Sequence, residues 1–467
     1  MEKIEYIEKK LSRTIDVIEE LFKPKYYEVG FDHIAIDKAV AKTSHNKEGF
    51  YFEFAKMVLT SQQDAQKLFD RDDETITFSD FYSKIIFKIK DCKNFNFSVG
   101  FSGYTKVSGF IKDFETKEIN DDSNTFYRAT IITNELFIPS RYFKVSKSLK
   151  VKEVLYGYGL LELEINNIPI NLFSYNDNIT GRNYFIIETT KNCEYIKFKN
   201  IIDEIILAIT YLTGTFLGNS VILLGSNNSS FDEVKLLGIK SFFDDLKDSF
   251  AVIPDLYFHR EIIGNLNDFT ETNHLEKLID KIQSNLIYKR TILLICQAHS
   301  EPNYVKATLY SVALETITNL ISELLETKNK PISDKAIATK IRAELKKVLI
   351  GFKEIIPSQA YKKIEGDLER INSLTNKQKL LLPFLYYNYT LEKKDIEAIE
   401  GRNNFLHGRI PENSDKHHLP IIVGRLLFCV NFLVLKYIGF NGCIFYPAAM
   451  YQINNKLETD EEVLKTI

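Results

Sequence analysis

The sequence of 467 residues predicts an α+β protein. A mostly antiparallel β-rich region with flanking helices, residues 1–265, is followed by an all-helical bundle, residues 266–467. Between about residues 28 and 198, segments rich in Phe, Tyr, Ile and Val alternate with polar turns, which is typical of antiparallel sheets. From about residue 274 onward, apolar residues recur at helical spacing and prolines separate the segments. The length also suits more than one domain.

The N-terminal region begins with an amphipathic segment, residues 3–22, in which Ile4, Ile7 and Leu11 recur at helical spacing. Strands are then predicted at 49–54, 75–90, 95–104, 126–137, 154–165 and 184–189. These strands would form either a sandwich or an open barrel. We expect their aromatic side chains to form its core, because the basic–aromatic alternation of a base-stacking surface is missing from the sequence.

The next stretch, residues 199–247, is predicted to be helical, with a short strand-like break at 221–224. A connector from Pro254 to Thr272 places the domain boundary near 260–273. The helices of the second domain are predicted at 275–298, 302–326, 333–351, 357–381, 391–409 and 417–438. The last residues, 457–467, are expected to fray or to form a small helix.

Composition narrows the function classes. A net charge of −3 argues against a protein that coats nucleic acid over its whole surface. Five scattered cysteines without a C-x-x-C pair fit a reducing cytoplasm, and the N-terminus lacks an apolar signal core. The two long apolar runs, 201–224 and 419–438, contain charged residues, so we interpret both as buried segments rather than membrane spans. A cytoplasmic protein is therefore expected.

The most informative motif is Arg402-Asn403-Asn404-Phe405-Leu406-His407. A guanidinium binds phosphate through a planar fork of donors, and an imidazole exchanges protons near neutral pH. Asn403 and His407 are four residues apart and would share one face of a helix, with Arg402 at its flank. Gly408 and Pro411 predict that the helix ends just after His407, where a substrate could reach it. The alternative is an ordinary solvated helix end, where cations are favoured by the helix dipole.

This string resembles the R-x4-6-H motif of HEPN-domain ribonucleases, in the RNxxxH form. The layout, a large N-terminal region before a helical bundle, resembles ApeA-like anti-phage HEPN proteins. By this resemblance Arg402, Asn403 and His407 would be the active-site residues. Glu315 would be the acidic residue that faces the motif from an earlier helix.

The resemblance also implies an activity. It implies an endoribonuclease that needs no metal or cofactor and works as a homodimer or higher homo-oligomer with paired motifs. A phage-derived trigger would release it to damage host RNA such as tRNA, and the N-terminal region would act as the sensor or restraint.

A second feature is the excess of basic residues between Lys328 and Lys353. We predict RNA contacts from Lys340, Arg342, Lys346, Lys347 and, beyond the motif, Arg409. The alternative is a solvated helix face whose apolar residues, Ile337, Ile341, Leu345 and Val348, are buried on the opposite side.

The remaining hypotheses for the whole chain are a non-catalytic HEPN scaffold and a ligand-binding or partner-binding sensor. The adjacent His417 and His418, near Asp415, are interpreted as solvated loop residues rather than metal ligands.

Overall fold

The computed structural model divides the chain into two compact units, residues 1–283 and 284–467. The described residues are 2–31, 39–46, 49–57, 76–81, 86–99, 105–116, 124–144, 150–151, 154–155, 159–218, 220–241, 246–256, 270–325, 331–409 and 416–467. The first unit is rich in antiparallel β-structure and the second is mostly helical. The predicted α+β class is therefore confirmed.

The strands pair antiparallel throughout the described sheets. Their bounds are β1 (Lys25–Phe31), β2 (Ala39–Asn46), β3 (Gly49–Met57), β4 (Ile76–Asp80), β5 (Ile86–Val99), β6 (Thr105–Thr116), β7 (Phe126–Thr133), β8 (Lys150–Val151), β9 (Val154–Leu155), β10 (Leu161–Ile165), β11 (Ile168–Asp177), β12 (Arg182–Thr189), β13 (Ser220–Ser226), β14 (Lys235–Ser241), β15 (Cys443–Phe445) and β16 (Leu464–Thr466). Twelve of them form one sheet, in the order β10-β11-β12-β7-β13-β14-β6-β3-β2-β1-β4-β5.

This sheet closes on itself at one end, because β5 pairs with both β4 and β6. Six strands, β6-β3-β2-β1-β4-β5, therefore form a barrel, and the other six extend from it as an open sheet. Aromatic residues such as Phe52, Phe54 and Phe78 fill the barrel core and are at most 2% exposed. The predicted core role of the aromatic residues is thus confirmed for this cluster.

The helices in chain order are α1 (Glu2–Phe22), α2 (Tyr195–Thr213), α3 (Thr272–Ser284), α4 (Leu286–Ala298), α5 (Asn303–Leu325), α6 (Lys335–Ile350), α7 (Ser358–Glu369), α8 (Asn376–Tyr386), α9 (Lys393–Leu406), α10 (His418–Tyr437) and α11 (Pro447–Asn454). Helix α1 packs on the barrel through the buried Leu11 and Ile18. Helix α2 ends at Gly214, which adopts a left-handed φ of 74°. The strand-like break predicted at 221–224 is confirmed, since it lies in β13, but the helix predicted from there to residue 247 is wrong, because the chain continues as β14.

Two predicted helices of the C-terminal region are each divided into two. Asn285 separates α3 from α4, and its side chain accepts a hydrogen bond from the Tyr288 N–H at 3.0 Å. The segment predicted as 357–381 consists of α7 and α8, and a capping box at Thr375 begins the second helix. The expected frayed or helical end is also wrong, because β16 pairs with β15.

Helix α5 is the centre of the helical unit and packs against α4, α8, α9 and α10. Helix α10 is almost entirely apolar, and Val423 to Leu435 are buried. Within the described residues α10 is the one helix long and apolar enough to cross a membrane, but 72% of its apolar window is buried inside the protein. This burial is that of a core helix, as predicted for this run.

A charged residue lies in the middle of this apolar helix. Arg425 donates from Nη1 to Asp395 Oδ1 at 3.0 Å and from Nη2 to both carboxylate oxygens of Glu461, at 2.5 and 2.7 Å. The Tyr446 hydroxyl donates to Asp395 Oδ1 at 2.7 Å. All four side chains are buried, and burial raises the pKa of Asp395. The cluster joins the first turn of α9 to α10 and to the C-terminal segment.

We expect Arg425→Ala to lower the free energy of unfolding by about 3–5 kcal/mol, because it leaves two buried carboxylates without their cation. The control is Lys393→Ala, whose side chain is 90% exposed and lies 3.8 Å from Glu397. An exposed pair of this kind contributes less than about 1 kcal/mol. Urea denaturation followed by circular dichroism measures both variants, and equal losses would contradict this role for Arg425.

Candidate active site

The predicted motif lies in the last turn of α9, and the turn ends as the sequence predicts. Gly408 has a left-handed φ of 68°. Its N–H donates to the Phe405 carbonyl at 3.1 Å, and the Arg409 N–H donates to the Asn404 carbonyl at 2.7 Å. These two bonds form a Schellman cap. His407 is the last residue before this reversal and is therefore held at the rim of the helix.

Asn403 and His407 lie together on the exposed face of this turn. The His407 N–H donates to the Asn403 carbonyl at 3.1 Å, so their side chains project from consecutive levels of one face. Among the residues that the structure describes, neither side chain has a hydrogen-bond partner. Arg409 is also exposed, two residues further on. An amide, an imidazole and a guanidinium are thus available at one helix end.

Arg402 points away from this face. It is only 5% exposed, and its Nη2 donates to Glu315 Oε1 at 2.7 Å. Its Nε is buried and has no acceptor in the described part of the chain. Because Arg402 and His407 are five positions apart in the chain, the two side chains leave α9 in different directions. The expectation that Arg402 would flank the Asn403–His407 face is therefore wrong for this conformation.

The acidic residue inferred from the resemblance does face the motif. Glu315 lies on α5, is half-buried, and forms the ion pair with Arg402. One turn of α9 further on, the Thr308 hydroxyl of α5 donates to the Phe405 carbonyl at 3.3 Å. Helix α5 therefore holds the last turns of α9 at two points, on the side opposite the exposed residues.

Sequence reasoning missed the buried cluster that holds the start of the same helix. Asp395 lies in the first turn of α9 and binds Arg425. The signal was present, since Arg425 interrupts an apolar run, but by itself this interruption argues only against a membrane span. The partners Asp395 and Glu461 are 30 and 36 residues away in the chain and cannot be assigned from spacing.

The predicted basic surface on α6 is partly neutralised. Glu369 of α7 pairs with Lys346 and lies 3.6 Å from Arg342, while Lys347 pairs with Glu344 at 2.8 Å. Lys340 is exposed and without an ion pair among the described residues. The nearby Lys328 and Lys330 lie outside the described residues.

The apolar residues of α6 contradict the alternative interpretation. Ile337, Ile341, Leu345 and Val348 were predicted to form a buried face, but they are 52%, 38%, 36% and 60% exposed. Helix α6 packs against α7, and its buried residues are Ala338 and Leu349 instead.

The neighbouring histidines do not form a metal site in the described part of the chain. His417 Nδ1 lies 3.0 Å from the Tyr451 hydroxyl, and Asp415 is outside the described residues. The described residues contain no group of three His, Cys, Asp or Glu side chains that could hold a metal ion.

Comparisons with protein-family models, with curated proteins and with solved structures found no match to this chain. The function is therefore inferred from the residues of α9 and their surroundings.

Two glycines, one within α9 and one just after it, test where this helix ends. Gly408→Ala should lower the free energy of unfolding by about 1 kcal/mol, because a left-handed φ is unfavourable for alanine. Gly401→Ala should raise it by up to about 1 kcal/mol, because Gly401 lies within the helix and an added Cβ would meet no atom within 4 Å. Chemical denaturation measures both, and changes of the same sign would contradict the assigned helix end.

Proposed function

We propose that this protein is a metal-independent endoribonuclease of the HEPN type. The observation that carries the proposal is the exposed pair of Asn403 and His407 at the capped end of α9, beside the exposed Arg409. An imidazole on an open surface next to a guanidinium suits proton transfer at a phosphodiester. The resemblance of the Arg402–His407 string to the RNxxxH motif supports the same reaction.

In the proposed reaction, the ribose 2′-oxygen attacks the adjacent phosphorus and the bond from phosphorus to the 5′-oxygen breaks. His407 takes the proton of the 2′-hydroxyl or gives a proton to the departing 5′-oxygen. Asn403 orients the imidazole or a ribose hydroxyl through its carboxamide. The products are a 2′,3′-cyclic phosphate and a 5′-hydroxyl.

Arg402 would stabilise the negative charge on the non-bridging oxygens. Because Arg402 is only 5% exposed and its Nη2 binds Glu315, this role requires Arg402 to become accessible when RNA binds, with the phosphate beside the carboxylate or in its place. Arg409 needs no such change and is assigned the first phosphate contact. The proposal does not rest on the α6 cations, since Arg342 and Lys346 share Glu369.

The reaction needs two proton transfers, and each chain supplies one His407. The proposal therefore includes a homodimer or higher homo-oligomer in which two motifs face one cleft. It also includes the biological role that the resemblance implies, namely a cytoplasmic anti-phage effector that acts on host RNA such as tRNA after a phage-derived trigger. The β-rich unit would then restrain the nuclease or sense the trigger.

The second candidate function is a non-catalytic scaffold or partner-binding sensor. Arg402 favours it, because a buried arginine in an ion pair with Glu315 is a common structural element. The two candidates differ in whether the exposed face of α9 cleaves RNA. Single substitutions on this face, tested for RNA cleavage, distinguish them.

We expect His407→Ala to reduce RNA cleavage by at least about 100-fold, because general acid–base groups contribute at least that much. The matched control is Asn404→Ala, a neighbouring exposed residue of α9 outside the proposed set. Cleavage of a labelled RNA pool is measured with both variants, with and without EDTA. Equal rates for wild type and His407→Ala would contradict the enzyme, and cleavage abolished by EDTA would contradict the assigned chemistry.

A further inference from the structure

The helices α6 and α7 form a hairpin whose base is closed by one side chain. Asn372 is 8% exposed, and its Oδ1 accepts from the Ile332 N–H at 2.7 Å while its Nδ2 donates to the Ile332 carbonyl at 3.0 Å. Further along, Glu369 of α7 pairs with Arg342 and Lys346 of α6. The hairpin is therefore internally fastened at its base and along one side.

One face of this hairpin is apolar and exposed. We call Ile337, Ile341, Leu345 and Val348 the α6 seam. Their spacing of four, four and three residues places them within about 80° of the helix circumference at 3.6 residues per turn. A strip this narrow matches the contact line of a coiled-coil helix rather than the broader apolar face that packs on a domain core. The seam is therefore shaped to receive one further helix.

The charge of α6 decides which helix fits. The helix carries five cations, Lys335, Lys340, Arg342, Lys346 and Lys347, and one acidic residue, Glu344. Pairing α6 with α6 of a second copy would bring together two helices that each have a net positive charge, which is unfavourable. A helix with acidic residues beside its apolar positions would instead place its carboxylates near Lys340, which has no ion pair among the described residues, and near the exposed Lys347, which would then exchange Glu344 for the partner's carboxylate.

Two other kinds of partner fit the surface less well. RNA bases stack on aromatic or guanidinium planes, but all four side chains of the α6 seam are aliphatic. A bilayer favours a broad apolar face with Trp, Phe or Leu, whereas the seam is narrow and rich in β-branched residues. The chemistry therefore favours a protein helix.

We propose that the α6 seam is a docking site for an acidic amphipathic helix of another protein, with apolar residues at three- and four-residue spacing and Glu or Asp beside them. The apolar side chains bury against Ile341, Leu345 and Val348, and the carboxylates pair with Lys340 and Lys347. In this mode of recognition, an amphipathic helix packs its apolar face on the α6 seam. The site is independent of the nuclease chemistry assigned to α9.

The test uses the full chain and two synthetic helical peptides with Leu at the a and d heptad positions. One peptide carries Glu at the flanking positions and the other carries Lys. Fluorescence anisotropy should give tight binding of the Glu peptide and weak binding of the Lys peptide. The double variant Leu345→Ser/Val348→Ser should weaken binding of the Glu peptide by at least about tenfold, as expected for central contact residues. All the substituted side chains are at least partly exposed, so the fold should persist.

The matched control is Ile350→Ser, which removes an equally apolar side chain that is 62% exposed but lies off the seam. It should leave binding unchanged, and Lys340→Glu/Lys347→Glu should reverse the preference between the two peptides. No binding of the Glu peptide, or binding that the seam variant does not alter, would overturn the proposal. Two further results would overturn it. If the wild type bound anionic phospholipid vesicles and the seam variant did not, the seam would serve a bilayer. If light scattering showed a wild-type dimer that the seam variant did not form, the seam would serve a second copy.

Discussion

Helix α9 is held by ion pairs at two points along one buried face, and the rest of the proposed site depends on this constraint. Arg402 binds Glu315 of α5, while Asp395 binds Arg425 of the core helix α10. With both contacts made, the helix cannot rotate without separating buried ions. Asn403 and His407 lie on the exposed side of the helix, so their exposure follows from how the buried face is held.

The same constraint shapes the chemistry. A guanidinium that is paired in the protein interior, as Arg402 is, becomes available to a phosphate only if its surroundings move to uncover it. The exposed residues, His407 and Arg409, have no such requirement. The site is thus divided into an open part that can meet RNA directly and a buried part, Arg402 with Glu315, that must rearrange to take part. This division explains why the motif supports a catalytic and a structural interpretation at once.

Much of the helical unit could be predicted from its sequence, because glycines, prolines and polar caps mark the helix ends. Gly408 is the best example, since it predicted where α9 stops and where His407 lies. The failures have physical causes. The strand-like run predicted at 221–224 is confirmed by β13, but the helix predicted after it is wrong, because periodicity alone does not separate a short strand from a helical segment. The pattern of α6 predicts an apolar face but does not predict what covers it. The partners of Arg425 lie in distant parts of the chain, so spacing does not identify them.

We propose that the exposed face of α9 cleaves RNA through the ribose 2′-hydroxyl. The most direct measurement replaces the single nucleotide on the 5′ side of a mapped cleavage site with its 2′-deoxy form and follows that bond in the wild-type protein. Our account predicts that cleavage at this bond stops while other sites continue to be cut, with cyclic phosphate ends. Continued cleavage at the substituted bond would contradict it, because the nucleophile would then not be the 2′-oxygen.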